Sequence, residues 1–136
     1  MSATKIFTGD DYLVPEGTTH VIECTLVDET GAAIQIAAVL AATVSLHDVV
    51  TGTPINRIAQ NVKNANGGAI TDAGAGVAKF TMTFDPVDAR IVDRSLAEEQ
   101  HRATFSFTYF RGVGLENGGL THRVLYRVAN LEALDA

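Results

Sequence analysis

The side chains able to do chemistry in this sequence are thinly spread. Four serines (Ser2, Ser45, Ser95 and Ser106) and one cysteine, Cys24, are its hydroxyl and thiol nucleophile candidates beside the threonines. A nucleophile needs an adjacent base to activate it. None of these serines sits in a G-x-S-x-G elbow, and Cys24 alternates with Ile22 and Leu26 as a small core residue would. The histidines, His20, His47, His101 and His122, include no H-x-H or H-x-x-x-H pair of the kind that seats a metal. His101 and His122 open neighbouring strands, but an antiparallel order sends those strand starts to opposite ends of a sheet. Asp10-Asp11 and the trio Asp85, Asp88 and Asp93 offer oxygen ligands for a cation at a loop end. They lack the EF-hand spacing, and turn capping accounts for them without an ion. Glu98, Glu99 and His101 form an acid–base cluster just ahead of a core strand, where a solvated corner is expected. Carboxylate catalysis would need two acids facing across a cleft. Gly112-Val113-Gly114 followed by Gly118-Gly119 has the wrong spacing for a dinucleotide fingerprint. The expectation is no catalytic residue, no cofactor and no metal.

The elements that must position these residues are strands. Apolar residues alternate with polar ones over 20–26, 43–49, 78–84, 103–109 and 122–128. That is the period of a half-buried strand and not of a helix. In 103–109, Ala103, Phe105, Phe107 and Tyr109 face one way while Thr104, Ser106 and Thr108 face the other. In 78–84, Ala78, Phe80, Met82 and Phe84 form the inward row. Val124, Tyr126 and Val128 do the same against Arg123 and Arg127. Turn chemistry separates the strands: Asp28-Glu29-Thr30-Gly31, Thr51-Gly52-Thr53-Pro54, and Asn66-Gly67-Gly68, the last a hairpin signal because Asn-Gly tolerates positive φ. Residues 112–119 read as a flexible Gly-rich loop. Residues 37–42 fit a helical turn or a bent strand. Residues 85–90 fit a helical turn with an Asp cap and Pro first, and 95–100 a second such turn. About seven short antiparallel strands at this spacing predict an all-β, immunoglobulin-like sandwich. Residues 15–136 would form one domain, preceded by residues 1–14 as an arm or a first strand.

Bulk properties narrow the partners. The chain has 136 residues, 46% of them hydrophobic and 19% charged, which suits one folded domain. Its formal net charge is −6, and its 10 Lys and Arg are dispersed. Nucleic acid and anionic membrane are therefore not expected partners. The apolar stretch over 32–42 is short and interrupted by Gln35, well under the ~20 residues of a membrane helix. The start shows no secretory signature, a lone cysteine makes no internal disulfide, and no N-x-S/T site occurs. These features predict folding in a reducing cytoplasm.

Immunoglobulin-like domains are commonly exported and disulfide-bonded, and phage virion proteins escape both requirements. The segment Leu46-His47-Asp48-Val49-Val50-Thr51-Gly52-Thr53-Pro54-Ile55-Asn56 resembles the strand, Asp, Thr-Gly turn and Ile-Asn pattern of small Ig-like phage structural proteins. The runs Asn66-Gly67-Gly68-Ala69-Ile70-Thr71, His101-Arg102-Ala103-Thr104-Phe105 and Val128-Ala129-Asn130-Leu131 are similar to the same group. The resemblance spans roughly residues 20–131 and carries no catalytic residue. It implies a virion protein that docks on capsid or tail subunits, in symmetric or homo-oligomeric array, with Ile6, Phe7, Tyr12, Leu115 and Asn117 as candidate interface residues. The alternative is a carbohydrate- or receptor-binding sandwich. Sugar stacking favours exposed aromatics, yet the chain has no Trp, and Tyr109 and Tyr126 alternate as core residues.

Overall fold

A computed structural model of the chain describes residues 6–7 and 12–131, with only the backbone of Ile6, Phe7 and Tyr12. The strands are β1 (Ile6–Phe7), β2 (Tyr12–Pro15), β3 (His20–Thr25), β4 (Val39–Asp48), β5 (Gln60–Asn61), β6 (Gly68–Asp72), β7 (Ala78–Phe84), β8 (Glu98–Tyr109) and β9 (Gly118–Ala129). They form two sheets, β1-β3-β7-β6 and β2-β9-β8-β4-β5. In chain order the central strands follow the immunoglobulin plan: β3, β7 and β6 take the B, E and D places, and β9, β8 and β4 take G, F and C. The all-β, immunoglobulin-like sandwich is present. The described residues contain nine strands where about seven were expected, and two pairings are parallel, β1 with β3 and β2 with β9. The N-terminal segment is thus strand in both sheets, its first part on one and its second on the other.

The alternation works as expected. Every second residue of β7 is buried, from Ala78 to Phe84. In β8 the buried row runs from Glu99 to Tyr109. Aromatic rings from these rows join the sheets. Phe80 meets Phe105 and Phe107 edge-on at centroid distances of 5.3 and 5.1 Å, the geometry that ring quadrupoles favour. Phe84 stacks on His20 at 4.7 Å. Leu26, Val44, Leu46, Ile55 and Met82 fill the space around them. Cys24 is a half-buried free thiol, and burial pushes its pKa up to about 11.

Several local expectations change. Residues 37–42 hold both alternatives: a 3-10 turn over Ile36–Ala38 runs into β4, whose register shifts between Val39 and Ala41. Asn66 and Gly67 do have positive φ, at 52° and 93°. They make no hairpin, because they carry the chain from β5 in one sheet to β6 in the other. A Cβ on Gly67 would lie 2.3 Å from the Thr83 carbonyl oxygen, so close approach to β7, beside φ, demands the glycine. The turn at 85–90 is a 3-10 turn over Pro86–Ala89 with a reciprocal Asp85–Asp88 capping box. Residues 95–100 form no helical turn. β8 begins already at Glu98, because its inward row extends past Ala103 to His101 and Glu99. Gly118 and Gly119 likewise belong to β9 and not to the loop before it.

Candidate functional site

The antiparallel register collects the polar core residues at one end of the sandwich. His20 opens β3 opposite Phe84, the last residue of β7. Asp48 ends β4 opposite His101, which lies opposite Tyr126 on β9. Glu99 and His101 continue the inward row of β8, as Asp48 continues that of Val44 and Leu46. The predicted solvated corner is therefore corrected: Glu99 and His101 are buried, at 3% and 0% exposure, and only Glu98 is in solvent.

Glu99, His101, Asp48 and Asn130 make specific hydrogen bonds at this end. Glu99 accepts the N–H of Val92 (2.8 Å) and of Asp93 (2.5 Å). His101 Nε2 is 2.9 Å from Glu99 Oε1. Asp48 Oδ2 accepts the N–H and hydroxyl of Thr51, at 2.9 and 2.6 Å. Asn130 donates to the carbonyls of Arg94 and Leu96. His20 is nearly enclosed by Phe84 and Tyr126. Desolvation lowers its pKa to about 4, against a smaller opposing pull from Asp88.

A buried ion pair lies alongside. Arg57, on the segment between β4 and β5, grips Asp88 with two parallel bonds, Nε to Oδ1 at 2.9 Å and Nη2 to Oδ2 at 2.8 Å. Asn56 Nδ2 and the Asp85 N–H complete the Asp88 carboxylate, at 2.8 and 2.7 Å. Arg57 Nη1 donates to Gln60 Oε1 and, at 2.7 Å, to the Asn66 carbonyl. Its guanidinium carbon stands 5.8 Å from the Phe84 ring centroid. The candidate cation trio is thus divided. Asp88 is committed to Arg57, Asp85 reaches the same arginine at 3.4 Å, and Asp93 caps Ser95. Asp10 and Asp11 lie outside the described residues.

The opposite end is open and built from the 26–38 and 110–117 connections. Tyr109 closes β8 and donates its hydroxyl to Glu29, whose other oxygen takes Arg111 Nη2 at 2.7 Å. The tyrosine bond holds the Glu29 carboxyl below its usual range and the phenol above its own. A groove of about 360 Å³ lies between these connections, lined in part by Asp28, Gln35, Tyr109, Phe110 and Leu115. Phe110 and Leu115 are 48% and 62% exposed, and Val113, between them in sequence, is 95% exposed. Of the candidate interface residues, Leu115 and Asn117 stand exposed on this end. The backbones of Ile6, Phe7 and Tyr12 are strand residues, and their side chains lie outside the described residues. Tyr109 and Tyr126 are buried as expected. Phe110 was missed because it follows the inward tyrosine and ends the strand's alternation.

No protein-family model matches the chain, nor does any curated protein. Among solved structures, the chain is similar to the ZIG-8–RIG-5 IG1–IG1 heterodimer in its monoclinic form, at 7% identity and a TM-score of 0.32, over 89% of this chain and 82% of that one. It is similar to the ZIG-8 IG1 homodimer at 7% identity and a TM-score of 0.31, over 89% and 79%. The fold assignment rests on this chain's own strand order. No helix among the described residues is long and apolar enough to cross a membrane.

Proposed function

We propose that the chain is a non-catalytic docking module that seats a neighbouring protein subunit on its open loop end, and that its setting is the phage virion implied by the sequence resemblance. The observation that carries the docking reading is the exposure of Phe110, Val113 and Leu115 within six residues, beside the groove walled by Tyr109 and Gln35. Clustered exposed apolar side chains rimmed by polar ones mark protein contact sites. Here the rim is Asp28, Glu29 and Arg111. A non-catalytic role is supported by the chemistry of the nucleophile candidates. The Cys24 thiol is pushed away from ionisation, and Ser45 spends its hydroxyl accepting the Ala59 N–H. The carbohydrate reading has less support: of the two aromatic side chains lining the groove, Tyr109 is buried and Phe110 alone is half exposed.

The test uses purified virions and the full chain. Mass spectrometry of particles should find the chain at fixed stoichiometry. Labelled chain should co-sediment with particles stripped of it, and Leu115→Asp combined with Phe110→Ser should abolish co-sedimentation while leaving the circular dichroism spectrum unchanged. Absence from particles would overturn the virion setting. Undiminished binding by the double variant would overturn the docking face.

A further inference from the structure

The polar end contains a set of ligands that the fold does not use up. Asp48 and His101 face each other across β4 and β8, and Glu99 precedes His101 by two residues on the same inward row. One donor atom from each lies within 4.8 Å of the other two, and all three residues are buried. Glu99 and Asp48 are both oriented from behind, by the Val92 and Asp93 N–H groups and by Thr51 respectively. Metal-binding carboxylates are commonly fixed in this way.

Two features show that this cluster is incomplete as it stands. His101 engages Glu99 through Nε2, while its Nδ1 is buried and has no hydrogen-bond partner. Buried ring nitrogens are normally satisfied, because leaving one orphaned costs roughly 1–3 kcal/mol. Charge points the same way. Two carboxyl groups stand within 4.8 Å of each other in the interior, and among the described residues no Lys or Arg is paired with either; Glu99 bonds the His101 ring instead. The nearby buried arginine, Arg57, is taken by Asp88 and Asp85. Two buried carboxyl groups without a Lys or Arg partner are what a divalent ion can bridge.

We propose that Asp48, Glu99 and His101 are the protein ligands of a mononuclear zinc site, with a water molecule as the fourth ligand. The donor set of one imidazole nitrogen and two carboxylate oxygens suits Zn²⁺. Mg²⁺ and Ca²⁺ want six or more oxygens, which three buried side chains do not supply. Tetrahedral ligands at roughly 2.0–2.2 Å stand about 3.4 Å apart. Glu99 Oε1 and His101 Nε2, at 2.9 Å, are closer than that, so closure opens this contact by about 0.5 Å as Asp48 moves in by side-chain rotation. Zinc takes neutral imidazole, so any proton on the ring nitrogen that becomes the donor leaves with binding.

The experiment titrates the full chain, pre-treated with chelator and dialysed, with ZnCl₂ by calorimetry, and counts bound metal by mass spectrometry. One ion per chain is expected, with a rise in melting temperature, and no heat from MgCl₂. Asp48→Asn and His101→Gln should each weaken the Kd at least roughly tenfold, the loss seen even for groups one step removed from a metal. His122→Gln and His47→Gln should not. Since the buried variants risk misfolding, CoCl₂ is added to the unaltered chain and amide signals are followed by NMR. Selective broadening of Thr51, Val92 and Asp93 is expected. Broadening centred on His122, no zinc binding, or equal binding of Mg²⁺ would each overturn the assignment.

Discussion

Replacing Arg57 by Met should cost this protein a large share of its stability, and the reason lies in what is left behind. Asp88 is fully buried. Its carboxylate takes four donors, of which Arg57 supplies the two charged ones. Met preserves much of the side-chain volume over Phe84 but leaves a buried anion with two neutral donors. Breaking a buried pair in this way costs about 3–5 kcal/mol, against a total of roughly 5–15 kcal/mol for an ordinary domain. With a urea slope near 2 kcal/mol/M, the unfolding midpoint should fall by about 2 M. Circular dichroism follows the transition, since the chain has no Trp. Removing both partners, as Arg57→Met with Asp88→Leu, should cost less than the sum of the single changes by at least about 2 kcal/mol. An exposed pair such as Arg127–Glu98, at 3.4 Å and with side chains 38% and 47% exposed, sets the comparison, and its loss should stay within about 1 kcal/mol. If Arg57→Met moved the midpoint no more than Arg127→Ala, the Asp88 site would be wet or the carboxyl protonated, and the reasoning would fail.

Stability should decline as pH falls from 6.5 towards 4, through His20. The unfolded chain binds a proton at its ordinary value near 6.5, whereas the native ring resists until about 4. The unfolded state therefore holds more protons across that window, and stability rises with pH there. The full difference is roughly 3 kcal/mol at 1.36 kcal/mol per unit. Urea curves at pH 7, 6 and 5 should show the decline for the native chain and a shallower one for His20→Phe; equal slopes would discard His20 as the cause. Gly118→Ala should lower the melting temperature by about 4–10 °C, the equivalent of 1–3 kcal/mol of overpacking. Its new Cβ would stand 2.2 Å from Cζ of the buried Tyr109 ring. Gly119→Ala meets nothing within 4 Å, and calorimetry should find its melting temperature nearly unchanged.

Period-two alternation made the sandwich legible because both sheets bury one face. The inward rows of 78–84 and 103–109 are the rows the structure packs. The same parity held information about the polar end that residue chemistry obscured. Counting back by twos from Phe105 passes Ala103 and His101 and lands on Glu99. Counting forward from Val44 passes Leu46 and lands on Asp48. Charged residues look like a corner by type, but strand parity places them inside. The connection from β5 to β6 was hidden for a different reason. Asn-Gly reports local backbone freedom, and nothing local says that the flanking strands belong to different sheets. The Arg57–Asp88 pair, 31 positions apart, was beyond any spacing rule, because it depends on two connections meeting across the sandwich. Leu115 and Asn117 were legible as loop residues, whereas Phe110 needed the strand end to be known.

The polar end also bears on register. The aromatic rows are repetitive, since Phe105, Phe107 and Tyr109 follow one another at equal spacing on β8, as Phe80, Met82 and Phe84 do on β7. A slip of two residues keeps each row facing inward, so hydrophobic burial alone discriminates weakly against it. The polar contacts discriminate strongly. A two-residue slip carries Arg57 away from Asp88 and breaks the four-donor cradle. Arg57 further ties a segment leaving β4 in one sheet to the turn after β7 in the other, in a chain whose lone cysteine, Cys24, is a free thiol. The Arg57→Met, Asp88→Leu double variant should therefore retain most of its stability but lose uniqueness. Amide NMR signals of β7 and β8 should broaden or double, while far-ultraviolet circular dichroism is kept. A double variant with a single sharp set of signals would show that the aromatic interface sets the register unaided.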